Sequence, residues 1–242
     1  MRPNSTKDCQ QLTRILLQVL GNFVSGDEEG RQLVMASLSS DFWLRMILSE
    51  DVKMARFSKM VLYNCLLSDS LPGTCQFHAS LLTVLLSEDR AELDEWTTLL
   101  THRLLASTNA LAKSTPPATL QQLMSDEEVY ESAGLALKGL VDLGKAGHPQ
   151  LAPIRKLEAM SGAGAEALSS SPYYGIKRQL LQLISNLIGY QPNRKHFARS
   201  SGLLLSVLEC TGIEAQNPMQ GQWALLALRN LLHNCPENQA AL

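Results

Sequence analysis

The sequence has few aromatic residues and almost no net charge. Aromatic side chains make up 5% of the 242 residues, and the formal net charge is −2. The low aromatic content argues against a β-sandwich or barrel, whose strands favour β-branched and aromatic residues. The charge balance leaves no domain-scale basic surface, so we expect no nucleic-acid partner. Two short basic clusters, Lys177-Arg178 and Arg194-Lys195-His196, are typical of solvated helix ends and turns.

Cysteine pairs and long apolar runs are also missing. The five cysteines are an odd number, widely spaced and without a CxxC pair, which argues against a disulfide framework or a zinc site. Cys65 falls on an apolar helical face and is predicted to be a small core residue. Apolar runs such as Leu203-Leu204-Leu205 are far shorter than the roughly 20 residues that cross a bilayer. The first residues carry no apolar signal segment, so we expect a protein of the cytoplasm or nucleus without membrane insertion.

No pattern in the sequence indicates catalysis. The motifs of serine hydrolases, zinc proteases, dinucleotide-binding folds and P-loop proteins are absent. The histidines are scattered along the chain, at His78, His102, His148, His196 and His233. The acidic cluster Asp89, Glu92, Asp94 and Glu95 precedes an apolar run, which is typical of a helix N-terminus. We therefore predict a non-enzymatic protein without catalytic residues, cofactor or metal.

What the sequence does contain is a leucine-rich helical pattern that repeats around an asparagine. Four stretches share it, and their asparagines are Asn22, Asn64, Asn186 and Asn230. The steps between them are 42, 122 and 44 residues, and the middle step equals about three units of the roughly 40-residue period of armadillo and HEAT repeats. Two weaker overlays place Arg103 and Gly139 at the asparagine position. The pattern predicts an all-α, right-handed armadillo/HEAT-like solenoid with about five or six irregular repeats.

Helix start and stop signals divide the chain into three parts. A capping box at Ser125–Glu128 opens a helix that Gly144 is predicted to end. Residues 144–175 are rich in Gly, Pro, Ala and Ser and predict a flexible insertion. Helices are predicted over 177–188, 195–200, 203–210 and 219–232, and the turn at Cys235–Asn238 closes the last of them. The predicted domains are N-terminal repeats at 1–143, the insertion at 144–175, and C-terminal repeats at 176–242.

Asparagine is a poor residue inside a helix, so its recurrence at one position indicates a hydrogen-bonding role. In one hypothesis, each carboxamide bonds to the backbone of the adjacent repeat and ties the stack together. In the other, the asparagines form a ladder that holds an extended peptide, as in importin-type armadillo proteins, where a tryptophan lies one turn before each asparagine. Those positions hold Gln18, Met60, Gln182 and Leu226 here, so the repeat-tie hypothesis is favoured.

The three tryptophans, Trp43, Trp96 and Trp223, are predicted mainly to be buried anchors between repeats. Trp223 follows Gly221 near the start of a predicted helix. It is therefore the tryptophan that we expect to be partly exposed, and we take it as a candidate interface anchor.

The last 70 residues resemble the conserved C-terminal domain of the ataxin-ten family. The matching string runs from Lys177, Leu180, Leu183 and Asn186 through Asn193 and Gly202 to Asn217-Pro218, Trp223, Ala227–Leu231 and Asn238-Gln239. The combination of Asn-Pro, Trp, Arg-Asn-Leu and a trailing Asn-Gln is more specific than leucines alone. The family domain continues beyond the Asn-Gln turn, so we expect a truncated member with an open C-terminal end.

The resemblance implies a protein–protein scaffold or adaptor that binds through its helical faces. It further implies cytokinesis, neurite growth and neuronal survival, and cilium- or centrosome-related processes, with cytoplasmic, perinuclear or centrosome and midbody locations. An open solenoid end exposes apolar surface, so self-association through the C-terminal end is also expected. The alternative function is a nuclear transport or cargo adaptor that recognises extended basic peptides.

Overall fold

A computed structural model describes residues 5–67, 75–87, 94–111, 127–148, 151–153, 166, 168–171, 173–190 and 194–242. All regular structure in these ranges is helical. The helices are α1 (Ser5–Gly26), α2 (Glu28–Ser37), α3 (Ser40–Ile47), α4 (Val52–Cys65), α5 (Cys75–Ser87), α6 (Glu95–Leu111), α7 (Glu127–Lys145), α8 (Ile176–Tyr190), α9 (Lys195–Ser200), α10 (Leu203–Glu209), α11 (Gln220–Leu232) and α12 (Pro236–Ala240).

The helices stack in two rows. One row runs α1, α4, α6, α8, α11, and each of these helices contacts the next. We call it the asparagine row, because it contains Asn22, Asn64, Asn186 and Asn230. Behind it, α2 and α3 pack on α4, α5 on α6, α7 on α8, and α10 on α11, while α7 also contacts α5 and α10. A core of leucines with side chains 0–3% exposed fills the space between the rows, as expected when each repeat buries its apolar face against its neighbours.

This architecture confirms the predicted all-α helical-repeat solenoid, but the reading of the 122-residue step as three units was wrong. One helix of the asparagine row, α6, lies between α4 and α8. The weak overlay on Gly139 fails because α7, which contains it, belongs to the second row and contacts α5, α8 and α10.

Helix bounds in the C-terminal half agree closely with the prediction, with differences at two places. Gly144 does not end α7; a Cβ there would lie 2.6 Å from the Leu151 carbonyl oxygen, so the glycine permits close backbone approach. The left-handed stop is Gly147, with φ +84°. Pro236 lies at the start of α12 rather than in a plain turn, where its missing N–H costs no hydrogen bond.

Part of the predicted insertion is packed against the repeats. Leu151 and Tyr173 are 1% and 7% exposed and belong to the core. Gly175 donates its backbone N–H to the Gln216 carbonyl at 2.8 Å. The central residues 154–165 of the predicted insertion lie outside the described residues. Among the described helices, none has the length and apolar character needed to span a membrane.

Candidate functional site

At the C-terminal end of the asparagine row, the carboxamides connect neighbouring helices. Asn230 of α11 donates from Nδ2 to the Ser185 carbonyl oxygen of α8 at 3.1 Å. Asn186 of α8 donates to Oδ1 of Asn109 in α6 at 3.4 Å. Asn109 in turn donates to the Gln179 carbonyl of α8 at 3.1 Å. These contacts have the geometry of the repeat-tie hypothesis, and the sequence pattern had not singled out Asn109.

At the N-terminal end of the same row, the asparagines differ. Asn22 is exposed and Asn64 is half-buried, and neither carboxamide has a hydrogen bond to another described residue. The α4–α6 connection is made instead by Arg103, at the position overlaid on the asparagines, whose Nε donates to the Leu66 carbonyl at 2.5 Å. The four asparagines therefore do not form one continuous ladder.

A second set of equivalent positions runs along the asparagine row. Each lies two helical turns before the asparagine of its helix or, in α6, before Arg103. Seven residues before Asn22, Asn64, Arg103, Asn186 and Asn230 stand Ile15, Phe57, Trp96, Gln179 and Trp223. Trp223, the candidate interface anchor, is half-buried and packs against the core. Trp43 lies outside this set, in α3, and is 1% exposed. Aromatic side chains thus occur on the row, but one turn further from the asparagine than in the importin pattern.

A groove of about 580 Å³ crosses the row where α1, α4 and α6 lie side by side. We call it the N-terminal groove and define it by its lining residues Gln11, Arg14, Ile15, Gln18, Lys53, Arg56, Phe57, Met60 and Trp96. Ile15 is 48% exposed, and Phe57, Met60 and Trp96 are half-buried. The Trp96 ring meets Tyr63 edge to face, with centroids 5.9 Å apart, a favoured aromatic arrangement. The surface therefore combines an apolar floor with cationic side chains.

An ion pair joins α1 and α4, two of the three helices that line the groove. Arg14 of α1 donates from Nε to Asp51 at 2.7 Å, and its NH2 atom lies 2.5 Å from the same carboxylate. Asp51 also caps α4 by accepting from the backbone N–H groups of Lys53 and Met54. The hydrogen bond from Arg14 lowers the pKa of Asp51. The Asp51 carboxylate thus caps the start of α4 and also holds α1 against it.

A second carboxylate fixes α4 against α6. Asp94 caps α6 by accepting from Trp96 N and Thr97 N, as the acidic cluster predicted. Lys59, 5% exposed, donates to Asp94 at 3.2 Å and to the Thr97 hydroxyl at 2.6 Å. Burial alone would raise the pKa of Asp94, but the Thr97 hydrogen bond and the Lys59 charge lower it overall.

The C-terminal repeats contain a buried polar network around Lys177, a residue that was predicted to lie at a solvated helix end. Lys177 is 3% exposed, and its Nζ lies 3.2 Å from both carboxylate oxygens of Glu214, itself 5% exposed. Asn217 accepts from the Lys177 backbone N–H at 2.9 Å and donates to Glu214 at 2.7 Å. Gln220 donates to the other Glu214 oxygen at 3.1 Å. The reading failed because Glu214 lies 37 residues away, beyond any local pattern.

Arg194, also expected to be solvated, is 5% exposed and lies over the Tyr130 ring at 5.3 Å. Such a cation–π contact stabilises a desolvated guanidinium. It joins the start of α9 to α7. The prediction that the basic clusters are solvated is therefore wrong for both Lys177 and Arg194, although both lie at helix ends.

A cavity of about 260 Å³ adjoins the Lys177–Glu214 pair. The Lys177 ammonium is committed to Glu214 and, at 3.5 Å, to the Leu151 carbonyl. This arrangement joins the start of α8 to the loop before α11. Within the described ranges, no group of three or more His, Cys, Asp or Glu side chains has the arrangement of a metal site. Cys65 is 0% exposed, which confirms its predicted core position, and burial raises the pKa of its thiol to about 12.

Comparisons with known proteins identify the C-terminal part of the chain. A crystal structure of an engineered protein from the Northeast Structural Genomics Consortium covers 90% of this chain and 89% of its own at 12% identity, with a TM-score of 0.41. A second such engineered protein covers 93% of this chain and 55% of its own at 16% identity, with a TM-score of 0.42. A comparison with curated proteins found no match. Residues 176–242, which hold α8 to α12, match the family model described as the spinocerebellar ataxia type 10 protein domain, and this match confirms the ataxin-ten resemblance for that part of the chain.

Proposed function

We propose that this chain is a non-enzymatic scaffold that binds other proteins through the N-terminal half of its asparagine row. The observation that carries the proposal is the N-terminal groove, where α1, α4 and α6 present partly exposed apolar side chains beside cationic ones. It lies on the part of the row where the carboxamides of Asn22 and Asn64 make no hydrogen bond to another described residue. Exposed apolar surface bordered by polar groups is typical of protein interaction sites. The spinocerebellar ataxia type 10 protein domain at residues 176–242 supports the scaffold class over an enzyme.

Proximity labelling in cells tests this function. The bait is the full chain, compared with Lys53→Glu/Arg56→Glu, which reverses the charge of the groove, and with Trp223→Ala, which removes the candidate anchor on α11. A control, Arg229→Glu, reverses an exposed charge on α11 outside the groove. We expect a set of neighbours that the groove variant loses and that Arg229→Glu keeps. A bait that labels no protein above the free labelling enzyme would contradict a scaffold role.

The finer roles suggested by the family are part of the same proposal. We propose that the scaffold acts in cytokinesis, in neurite growth and neuronal survival, and in processes of the cilium or centrosome. The corresponding locations are the cytoplasm, the perinuclear region, and the centrosome or midbody. Live imaging of the tagged chain through division tests them, since a uniform distribution with no enrichment at centrosome or midbody would contradict these locations.

The alternative, an adaptor for extended basic peptides, is disfavoured by the charge of the groove. Arg14, Lys53 and Arg56 line it, and none of its nine lining residues is acidic. Like charges facing each other across an interface weaken binding. A basic peptide that binds the chain and is displaced by mutations in the groove would restore this alternative.

Self-association through the C-terminal end is a further part of the proposal. Leu225 and Leu226 of α11 are 60% and 37% exposed, and Leu242 is 50% exposed. Exposed apolar surface favours association. Sedimentation velocity of the wild type and of Leu225→Asp tests the idea. A species whose mass exceeds one chain, and which Leu225→Asp reduces, is expected; a wild type that stays monomeric at high concentration would contradict it.

A further inference from the structure

We infer that the N-terminal groove binds an extended acidic peptide with an apolar side chain at about every third position. This inference rests on the proposed scaffold function and names the chemistry of the partner. It is carried by the repetition of the groove along the row, by its charge, and by the spacing of its helices.

The groove is lined by the same positions of successive repeats. Each lining position of α1 has a counterpart 42 residues later in α4, the same step that separates Asn22 from Asn64. The pairs are Gln11 with Lys53, Arg14 with Arg56, Ile15 with Phe57, and Gln18 with Met60. In each helix these positions follow the i, i+3, i+4, i+7 spacing of one helical face. One surface motif is therefore presented at least twice in succession.

The apolar centre of this motif continues into a third helix. Trp96 of α6 lies seven residues before Arg103, as Ile15 and Phe57 lie seven residues before their asparagines. These three side chains all line the groove. Neighbouring packed helices have axes roughly 8–10 Å apart, so a ligand that crosses them meets an apolar site at about that interval.

That interval fits an extended chain. Backbone in the extended polyproline II conformation rises about 3.1 Å per residue with three residues per turn, so every third side chain lies on one face and three residues span one helix-to-helix step. An α-helical ligand rises about 1.5 Å per residue and would need six or seven residues for the same step. A peptide with apolar side chains at every third position thus places one on each of Ile15, Phe57 and Trp96. The exposed carboxamides of Gln11 and Gln18 are available to its backbone, whose polar groups need partners.

The charge of the groove selects an acidic ligand. Lys53 and Arg56 are exposed and make no ion pair with another described residue. Arg14 is paired with Asp51. In α6, Glu95 holds the position that Arg14 and Arg56 hold in α1 and α4, but Glu95 does not line the groove. Carboxylates placed between the apolar positions of the ligand would therefore meet two unpaired cations, and complementary charge raises both specificity and the rate of association.

Binding of defined peptides to the full chain tests the inference. The probe is a fluorescein-labelled peptide of about 12 residues, which is long enough to span three helix-to-helix steps of the row. It has Leu at every third position and Glu at the positions between. Its counterpart carries Lys in place of every Glu. Fluorescence anisotropy at low and high salt is measured for the wild type and four variants. Lys53→Glu/Arg56→Glu and Ile15→Gln alter the groove, whereas Arg229→Glu and Leu33→Gln change an exposed charge and an exposed leucine elsewhere.

We expect the acidic peptide to bind at least about tenfold more tightly than the basic one, and binding to weaken as salt screens the charges. The charge reversal and Ile15→Gln should each weaken binding, and the two control variants should leave it unchanged. Equal or tighter binding of the basic peptide, or controls as damaging as the groove variants, would overturn the inference. Proximity labelling decides the scaffold function separately, because neighbours lost with the groove variant would stand even if this peptide did not bind.

Discussion

In α11, the Asn230 carboxamide donates to the backbone of α8, whereas in α1 the equivalent Asn22 is exposed and its carboxamide makes no hydrogen bond to the described part of the chain. The same residue at the same repeat position is thus a tie at one end of the row and a free surface group at the other. The difference follows from what surrounds each asparagine. Ser185 of α8 presents its carbonyl to Asn230, while α1 and α4 are joined through the side chains of Arg14 and Asp51.

The two ends also differ in how their polar contacts are buried. The C-terminal network of Lys177, Glu214 and Asn217 is at most 5% exposed. The N-terminal ties have partners that reach solvent, with the Arg14 side chain 37% and the Asp94 side chain 38% exposed. Buried networks fix a single arrangement, whereas exposed ion pairs contribute little and are screened by salt. We therefore interpret the C-terminal repeats as the rigid part of the solenoid and the N-terminal repeats as the part adapted to binding.

The largest expected effect comes from breaking the buried pair. Lys177→Met leaves Glu214 charged and without its cation, which should lower the free energy of unfolding by about 3–5 kcal/mol. Urea denaturation followed by circular dichroism measures the loss. The matched control is Lys145→Met, which removes a cation from the exposed pair with Glu209 and should have little effect. Equal losses in the two variants would show that burial does not distinguish the pairs.

A smaller effect on stability should distinguish an asparagine that ties two helices, Asn230, from one that does not, Asn22. Asn230→Ala removes a hydrogen bond to the Ser185 carbonyl, and Asn22→Ala removes none among the described residues. Both variants gain the same helix propensity, so their difference isolates the tie. We expect Asn230→Ala to be less stable than Asn22→Ala by about 1 kcal/mol. Midpoints of urea unfolding at equal slope would measure this, and indistinguishable midpoints would remove the contrast between the two ends.

The sequence predicted the fold well where local signals were sufficient. Leucine periodicity and the recurring asparagine indicated a helical solenoid, and α9, Lys195–Ser200, was located at its observed bounds. The overlay on Gly139 was wrong because α7, although helical and apolar, packs in the second row. Whether an amphipathic helix belongs to one row or the other depends on its neighbours in space, which periodicity does not record.

The candidate site was only partly accessible from the sequence. Pairing Lys177 with Glu214, or Asn109 with Gln179, requires knowing which residues meet across 37 and 70 positions. The groove has a local signal that the importin pattern does not include. The importin pattern has its aromatic residue one turn before each asparagine, whereas Phe57 and Trp223 lie two turns before an asparagine and Trp96 lies two turns before Arg103.

The reactivity of buried cysteines compares how readily the N-terminal and C-terminal repeats open locally. Burial raises the pKa of Cys65 in α4 and of Cys210, just after α10, to about 12 in both cases, so neither is a reactive thiolate at neutral pH. Cys9 is exposed and should be modified first. The two buried thiols should react through local opening, with Cys65 faster than Cys210 if the N-terminal repeats are the less stable. Timed iodoacetamide labelling with peptide mass spectrometry measures the order, and faster labelling of Cys210 would reverse the comparison.

The smallest effect concerns the pH dependence of the N-terminal tie. The hydrogen bond from Arg14 lowers the pKa of Asp51 from its ordinary 3.8. A carboxyl group with a lowered pKa in the folded state stabilises that state above its unfolded pKa, and the contribution is lost as pH falls through the folded pKa. Asp51→Asn keeps a capping side chain at the start of α4 but removes the charge. At pH 7 this variant should unfold at lower urea concentration than the wild type, and near pH 3 the gap should narrow. Because the Lys177–Glu214 pair is untouched by the change, the loss should appear first in Cys65 labelling and leave Cys210 labelling unaltered. A gap that stays constant with pH would mean that the Arg14–Asp51 charge pair does not hold α1 to α4.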